Sequence, residues 1–242
     1  MRVWLFTHRG NVRIRNEDAL LVGRKVIRME VMEKPLVVET EEKLFAVADG
    51  LGGHAKGDVA SYEVLNVLAQ EQPKDEKSLR DALWNAKVRL LDYVKKHPSA
   101  FGLGTAVAGV IVGKEEILVF NVGDCRVYIK DKDGFVKVSR DHTLVEDLVL
   151  SGKLDEETAR LHPKRHILTS AILGDASEFE IYTKRIPNLG KPILVCSDGF
   201  WEEFSKEEMR LFAMSQEPVE LFLKSLENKE QSDNISFLFI KF

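Results

Sequence analysis

The chain has 242 residues, 44% of them hydrophobic and 31% charged, and a formal net charge of −4. Such a composition is ordinary for a globular protein, and the length admits one large domain or two small ones with a substantial core. The weakly acidic balance, with no long lysine/arginine block, leaves no electrostatic footprint for nucleic acid, and two cysteines cannot build a disulfide framework or a four-ligand zinc site.

Residues 3–6 and 19–22 read as short strands flanking a polar segment. Residues 24–43 carry mixed charge and Pro35 around a β-branched patch at Val37 and Val38, the pattern of an extended hairpin or a loop. The apolar run at 44–48 has the length of a buried strand. Helical spacing follows over 59–70, at Ala60, Val64, Val67 and Leu68. It returns over 75–96, where Leu79, Leu83, Ala86, Leu90 and Val94 share one face ahead of Pro98. Strands then crowd together at 105–112, 117–122, 126–130 and 135–138, separated by turns such as Lys132-Asp133-Gly134. A helix is expected over 142–151, a polar stretch over 152–166, a buried strand at 193–196, helices at 206–214 and 218–226, and a closing strand at 235–242. Strands joined by short turns argue for antiparallel sheets with helices packed outside them. Neither a linker nor a repeat interrupts the chain, so one α+β domain spanning 1–242 is expected.

Membrane signals are missing. The longest uncharged run, 98–113, is too short and too rich in glycine for a span of about 20 apolar residues. Residues 3–6 are too few for the core of a signal peptide. Cys125 and Cys196 lie in apolar strand-like segments and read as buried small hydrophobes. A cytoplasmic protein with no membrane or nucleic-acid partner is the expectation.

Asp49 stands where the 44–48 run stops, at the head of Asp49-Gly50-Leu51-Gly52-Gly53-His54. A carboxylate at a strand end, followed by glycines that let backbone approach closely, is suited to holding a cation against a phosphate. Asn121-Val122-Gly123-Asp124, Cys196-Ser197-Asp198-Gly199 and Ser232-Asp233-Asn234 repeat the arrangement, each Asp at one end of an apolar stretch. Gathered carboxylates repel strongly at low effective dielectric, and a cation is the natural reason to gather them. Ahead of the second strand, Arg13-Ile14-Arg15-Asn16-Glu17-Asp18 adds a guanidinium able to grip a phosphate bidentately and two carboxylates able to orient metal-bound water.

Taken in order, Arg13-x-x-Asn16-Glu17-Asp18, the Asp49–His54 turn, Gly104-Thr105, Val122-Gly123-Asp124-Cys125-Arg126, Arg140-Asp141-His142-Thr143, Cys196-Ser197-Asp198-Gly199 and Ser232-Asp233-Asn234-Ile235 resemble the PPM (PP2C-type) metal-dependent serine/threonine protein phosphatases. The glycine pair before His54 resembles the bacterial type. The match covers nearly the whole chain. It implies an αββα sandwich of two antiparallel β-sheets with metals at one end of the sheets. Carried over by position, Asp49 bridges two Mn²⁺ or Mg²⁺ ions, the Gly50 carbonyl binds one of them, and Asp198 and Asp233 hold the other. Asp18 acts mainly through metal-bound water, Asp124 supports a third, weaker ion together with Asp198, and Arg13 binds the phosphate. All-oxygen ligands agree with Mg²⁺ or Mn²⁺ rather than zinc.

The chemistry implied is in-line attack on phosphoserine or phosphothreonine by a water or hydroxide bridging the two ions, without a phospho-enzyme. Neither cysteine sits in the kind of loop that cysteine phosphatases use. Eukaryotic members place a histidine two residues after the bridging Asp, where this chain has Leu51, so the proton for the leaving group falls to His54 or to metal-bound water. Residues 142–166 match the flap of bacterial relatives, where substrate choice would reside, with Lys164 and Arg165 facing a phosphopeptide. Residues 24–43 exceed a minimal strand connection and receive no function. His8, His97, His142, His162 and His166 have no paired metal-ligand spacing and read as structural or surface residues, as Trp4, Trp84 and Trp201 read as packing. The expected partners are phosphoserine/phosphothreonine proteins, substrates of a bacterial-type kinase, acted on by a monomer. A binding module without turnover is disfavoured because Asp18, Asp49, Asp198 and Asp233 are all present; a two-metal nuclease is disfavoured by the missing basic groove.

Overall fold

A computed structural model describes residues 1–51 and 56–242. Its strands form two antiparallel sheets. The first contains β1 (Arg2–His8), β4 (Leu36–Glu39), β8 (Arg126–Asp131), β9 (Gly134–Lys137), β12 (Ile193–Cys196) and β13 (Ile235–Lys241), in the order β4-β1-β13-β12-β8-β9. The second runs β11-β7-β6-β5-β2-β3, built from β2 (Ala19–Val22), β3 (Lys25–Ile27), β5 (Leu44–Leu51), β6 (Gly104–Val112), β7 (Glu116–Val122) and β11 (Tyr182–Pro187), with β10 (Ile172–Leu173) paired to β6. Helices α1 (Gly57–Glu71) and α2 (Glu76–Lys96) cover the outer face of the second sheet, and α6 (Lys206–Met214) and α7 (Pro218–Leu226) that of the first. This is the expected αββα sandwich.

The period of two along β5 and β6 explains the layering. Phe45 and Val47 face the layer between the sheets, together with Ala106, Ala108, Val110 and Val112. Leu44, Ala46 and Ala48 point the other way, with Val107 and Ile111, onto Val64, Leu68, Leu79 and Leu83 of the α1/α2 pair. Asp75 starts α2 as a capping-box residue, its side chain accepting from the Ser78 backbone. Ser205 and Glu208 do the same for α6.

The register carries the functional consequence. Ala19 pairs with Ala48, Val107 with Val122, Arg126 with Cys196, Cys196 with Phe237 and His8 with Ile235. The segments leaving these pairs contain Asp18, Asp49, Asp124, Asp198 and Asp233, so pairing alone delivers all five to one end of the sandwich.

Four features depart from the expectation. Residues 24–43 are neither a free loop nor one hairpin: they supply edge strand β3 to one sheet and edge strand β4 to the other. The polar stretch 152–166 contains α4 (Glu156–Leu161), capped by the Asp155 side chain on Thr158. The helix expected over 142–151 narrows to α3 (Leu144–Leu150) because Thr143 is its N-cap and His142 is buried before it. Strand β11 and the short α5 (Asp198–Trp201) carry no periodic signal. The strand is half exposed on the sheet edge and the helix is one turn long.

Under α6 and α7, Phe222 sits among Phe200, Phe212 and Phe237, with ring centroids 5.1, 4.9 and 5.7 Å away. Its edge-to-face contacts and complete burial place it at the centre of that layer. Phe222→Ala is expected to lower unfolding stability by about 3–5 kcal/mol through lost transfer energy and a residual cavity, measured as a shift in the urea midpoint. A loss below about 1 kcal/mol would contradict this packing.

Candidate metal centre

Asp18, Asp49, Asp124 and Asp198 stand at or next to the ends of β2, β5, β7 and β12, near enough for the charge of one to act on another. Burial pushes the Asp49 carboxyl well above the usual carboxylate range, and Asp18, Asp198 and Asp124 push it further. Asp124 is raised in the same way, by burial and then by Asp198 and Asp141. Asp18 is pushed up to about 7, chiefly by burial and then by Asp198 and Asp233, against hydroxyl hydrogen bonds from Ser236 and Ser197 that favour its charged form. Asp49 and Asp198 lie close enough to share a proton, which holds Asp198 down although burial raises it overall. Each carboxylate thus reports the others.

Asp233 occupies the rim. Its Oδ2 accepts from Arg13 Nη2 at 2.6 Å and its Oδ1 from the Asn234 backbone at 2.8 Å. The Arg13 and Asp233 side chains are 48% and 36% exposed, so this pair sits at the solvent boundary of the cluster, facing Asp49 and Asp198. Gly50 touches the backbone of Gly57 at the start of α1: a Cβ at residue 50 would stand 2.4 Å from the Gly57 carbonyl carbon and 2.7 Å from the Glu17 carbonyl oxygen. Only glycine fits there, and the helix can therefore close on the strand end that carries Asp49. Gly52, Gly53 and His54, the last a candidate proton donor, lie outside the described residues.

The other residues of the motifs are scaffold. Ser197 Oγ donates to Asp18 Oδ2 at 2.9 Å, and its oxygen accepts the Ser236 amide at 3.0 Å, tying β12 and β13 to the segment before β2. Thr7 and Ser236 hydroxyls meet at 2.7 Å. The buried Asn16 amide reaches the Thr7 hydroxyl at 2.6 Å and the Met29 carbonyl at 2.7 Å. Asn234 donates to the Arg9 and Arg15 carbonyls, 2.9 Å each, and accepts from the Glu17 backbone at 2.8 Å. Thr105 donates to the Asp49 carbonyl at 2.6 Å. Gly123, at φ +92°, lets the backbone turn into Asp124 with its amide on His142 Nδ1, 3.1 Å away. Burial lowers the His142 pKa and so favours the neutral ring this acceptor role needs.

Trp201 exceeds the packing role read from sequence. Its indole N–H donates to the Asp124 carbonyl at 3.0 Å, and the Arg126 guanidinium lies 3.3 Å from the centroid of its ring. Arg126 in turn grips Asp141 Oδ2 through Nε and Nη2 at 2.9 and 2.6 Å. His166 and Glu202 were likewise invisible as site residues, yet both lie beside Asp198. A contact between residues this distant in sequence leaves no spacing signal. Burial pushes the Cys125 and Cys196 thiols well up, so neither offers a thiolate nucleophile.

Divalent cations suit this donor set. Asp18 Oδ1 and Asp198 Oδ1 are buried, and no hydrogen-bond partner among the described residues reaches either. Buried acceptors without donors, inside a cluster of like charges, are what a hard cation satisfies.

A buried carboxylate cluster at one end of two antiparallel sheets, under helices on both faces, defines a metal-dependent hydrolase class. Residues 34–236 match the family model for protein phosphatase 2C. The serine/threonine phosphatase Stp of Listeria welshimeri is 28% identical over 97% of this chain and 93% of its own length. PstP of Mycobacterium tuberculosis is 30% identical over 82% of this chain and 36% of its own. Among solved structures, Stp1 of Staphylococcus aureus superposes with a TM-score of 0.83 at 25% identity, covering 99% of this chain and 94% of that one. The chain belongs to the protein phosphatase 2C family, the metal-dependent serine/threonine protein phosphatases of bacterial type.

The raised carboxyl groups make a signed prediction for protein stripped with EDTA. Asp18 titrates near 3.8 when unfolded and about 7 when folded, so the folded state binds more protons across that interval. Its contribution is complete below about pH 4 and is lost as pH rises through about 7, with Asp49 and Asp124 acting in the same sense. Stripped protein should therefore lose a few kcal/mol of stability between these limits, and Mn²⁺ at pH 7.5 should restore it. A melting temperature flat from pH 4 to 7.5 and indifferent to Mn²⁺ would refute the reading.

Proposed function

We propose that this chain hydrolyses phosphoserine and phosphothreonine in proteins, using divalent cations held by Asp18, Asp49, the Gly50 carbonyl, Asp198 and Asp233. The observation that carries this is the convergence of Asp18, Asp49, Asp124 and Asp198, carboxyls raised by desolvation and neighbouring charge, with buried oxygens on Asp18 and Asp198 that no donor among the described residues reaches. The named relatives are serine/threonine phosphatases, and one structural neighbour, the catalytic domain of PstP, contains two manganese ions. When bound, such ions supply Lewis-acid activation of a water for in-line displacement, with no phospho-enzyme, and neutralise charge at phosphorus.

The chain's own groups do the rest. Arg13 is half exposed, and its partner Asp233 is a group the cation would occupy. With a cation on Asp233, the guanidinium fork would be free to take two phosphate oxygens and fix the orientation of the ester. Asp18, fixed by Ser197 and Ser236, orients water from the inner side. Asp124, whose carbonyl Trp201 holds, would offer its carboxylate to a third, weaker ion next to Asp198. We place the enzyme in a reducing cytoplasm as a monomer opposing a serine/threonine kinase. The two buried free cysteines support that compartment, and no described helix is long and apolar enough to cross a membrane. Residues 142–166 border the site and are assigned peptide selection: Lys164 is exposed, while Arg165 lies against Glu202.

Asp49→Asn and Asp198→Asn should each reduce Mn²⁺-dependent hydrolysis of a phosphothreonine peptide by at least about 100-fold. Wild-type rates from either would end the assignment, and cleavage of plasmid DNA under the same conditions would redirect it to a nuclease. Arg13→Ala should raise KM about 10-fold or more with a smaller effect on kcat, read from steady-state kinetics.

A further inference from the structure

His166, Asp198 and Glu202 each offer a ligand atom, and the three atoms lie within 4.8 Å of one another. Asp198 and Glu202 stand four residues apart on α5 and its C-terminal cap, so they project from the same face. His166 comes from the end of the 142–166 segment, its Nδ1 3.2 Å from Glu202 Oε1. Asp198 also brings the buried Oδ1 that no donor among the described residues reaches. Asp18, Asp49, Asp124 and Asp233 take no part in this triangle.

We propose that His166, Asp198 and Glu202 form a separate transition-metal dication site of mixed nitrogen and oxygen ligation, fastening the end of the 142–166 segment to α5. The inference shares Asp198 with the proposed phosphatase centre and rests on that reading only through this side chain. Metal–ligand distances of about 2.0–2.2 Å set donor atoms roughly 3–4.4 Å apart, so sub-ångström side-chain movements would close the present triangle on an ion. One imidazole beside two carboxylates favours Mn²⁺ or Zn²⁺ over Mg²⁺, which prefers oxygen and keeps its waters. The competing cation is Arg165, whose Nε is 3.6 Å from Glu202 Oε1 on a side chain 36% exposed. A contact that long and that wet yields readily to a dication. Occupancy would then hold Lys164 and Arg165 at a fixed distance from the carboxylate cluster, making the geometry of the substrate-facing segment depend on the metal.

Pulsed EPR of the full chain loaded with Mn²⁺ separates this site from its neighbour, because the other candidate ligands are all oxygen. Wild-type protein should show ¹⁴N modulation from a coordinated imidazole. His166→Ala should abolish it, and His97→Ala, at the far end of α2, should retain it. Glu202→Gln should weaken one class of Mn²⁺ binding by at least about 10-fold in equilibrium titration while leaving the remaining equivalents in place. Mn²⁺ should also slow tryptic cleavage after Lys164 and Arg165 in wild type but not in His166→Ala. Mn²⁺ binding with an oxygen-only spectrum, or a ¹⁴N signal that survives His166→Ala, would reduce the cluster to an ion pair and leave the phosphatase centre intact. Absence of any Mn²⁺ binding would overturn both.

Discussion

Repulsion among buried carboxylates is the constraint around which this molecule is arranged. Asp18 and Asp124 are buried and Asp49 and Asp198 half-buried; desolvation raises all four, and the charges of Asp18, Asp198 and Asp124 raise Asp49 further. No local interaction brings them there. They arrive because strand pairing in two sheets ends at a common level, and because the layers on either side of β5 and β6 bury enough apolar surface to outweigh the local penalty. The stabilising part of the protein is thus separate from the part that works against it, and a cation is the missing term that makes the two compatible.

Between them lies a layer of buried hydroxyls and amides. Thr7, Ser197, Ser236, Asn16 and Asn234 connect β1, β12 and β13 to the segment before β2, bridging the ends of the two sheets. Hydrogen bonds of this kind are short-ranged and directional, so they fix the spacing between Asp18 and Asp198, which dispersion between the sheets alone would leave loose. A small serine beside Asp198 and an amide beside Asp233 recur in the motifs for this reason. Each has one donor or acceptor to spare for a neighbouring chain segment and no bulk to separate the carboxylates.

Most of this was legible in the sequence where period and punctuation coincide. The buried runs at 44–48, 105–112 and 193–196, the helical faces of α1 and α2, and the strand-end aspartates all follow from local pattern, and their joint order pointed to the family. What escaped was non-periodic or non-local. Strands β3 and β4 lie on sheet edges with exposed or half-exposed side chains, so no alternation marks them. Strand β11 is hidden for the same reason. Trp201 looked like one more aromatic because nothing in its neighbourhood reveals an indole N–H aimed at a carbonyl 77 positions earlier. His166 looked solitary because its neighbours Asp198 and Glu202 join it only through the fold.

Depth also sorts these side chains by what they are free to do. Asp18, fully buried and held by the Ser197 hydroxyl, can exchange that partner only by breaking a hydrogen bond inside a low-dielectric layer, so its geometry is preset. Arg13 with Asp233, and Glu202 with Arg165, are ion pairs at the solvent boundary, where screening leaves a pair worth about 0–1 kcal/mol. Rim pairs that weak are reversible placeholders: a dication or a phosphate can displace one member without disturbing a strand. The inner carboxylates are therefore held in place while the rim pairs are open to exchange. Trp201 joins the two zones, since the helix that carries Asp198 and leads to Glu202 also grips the carbonyl of Asp124. Glu202, at the C-terminal cap of that helix, thus stands one turn of helix and one indole hydrogen bond from the backbone of Asp124.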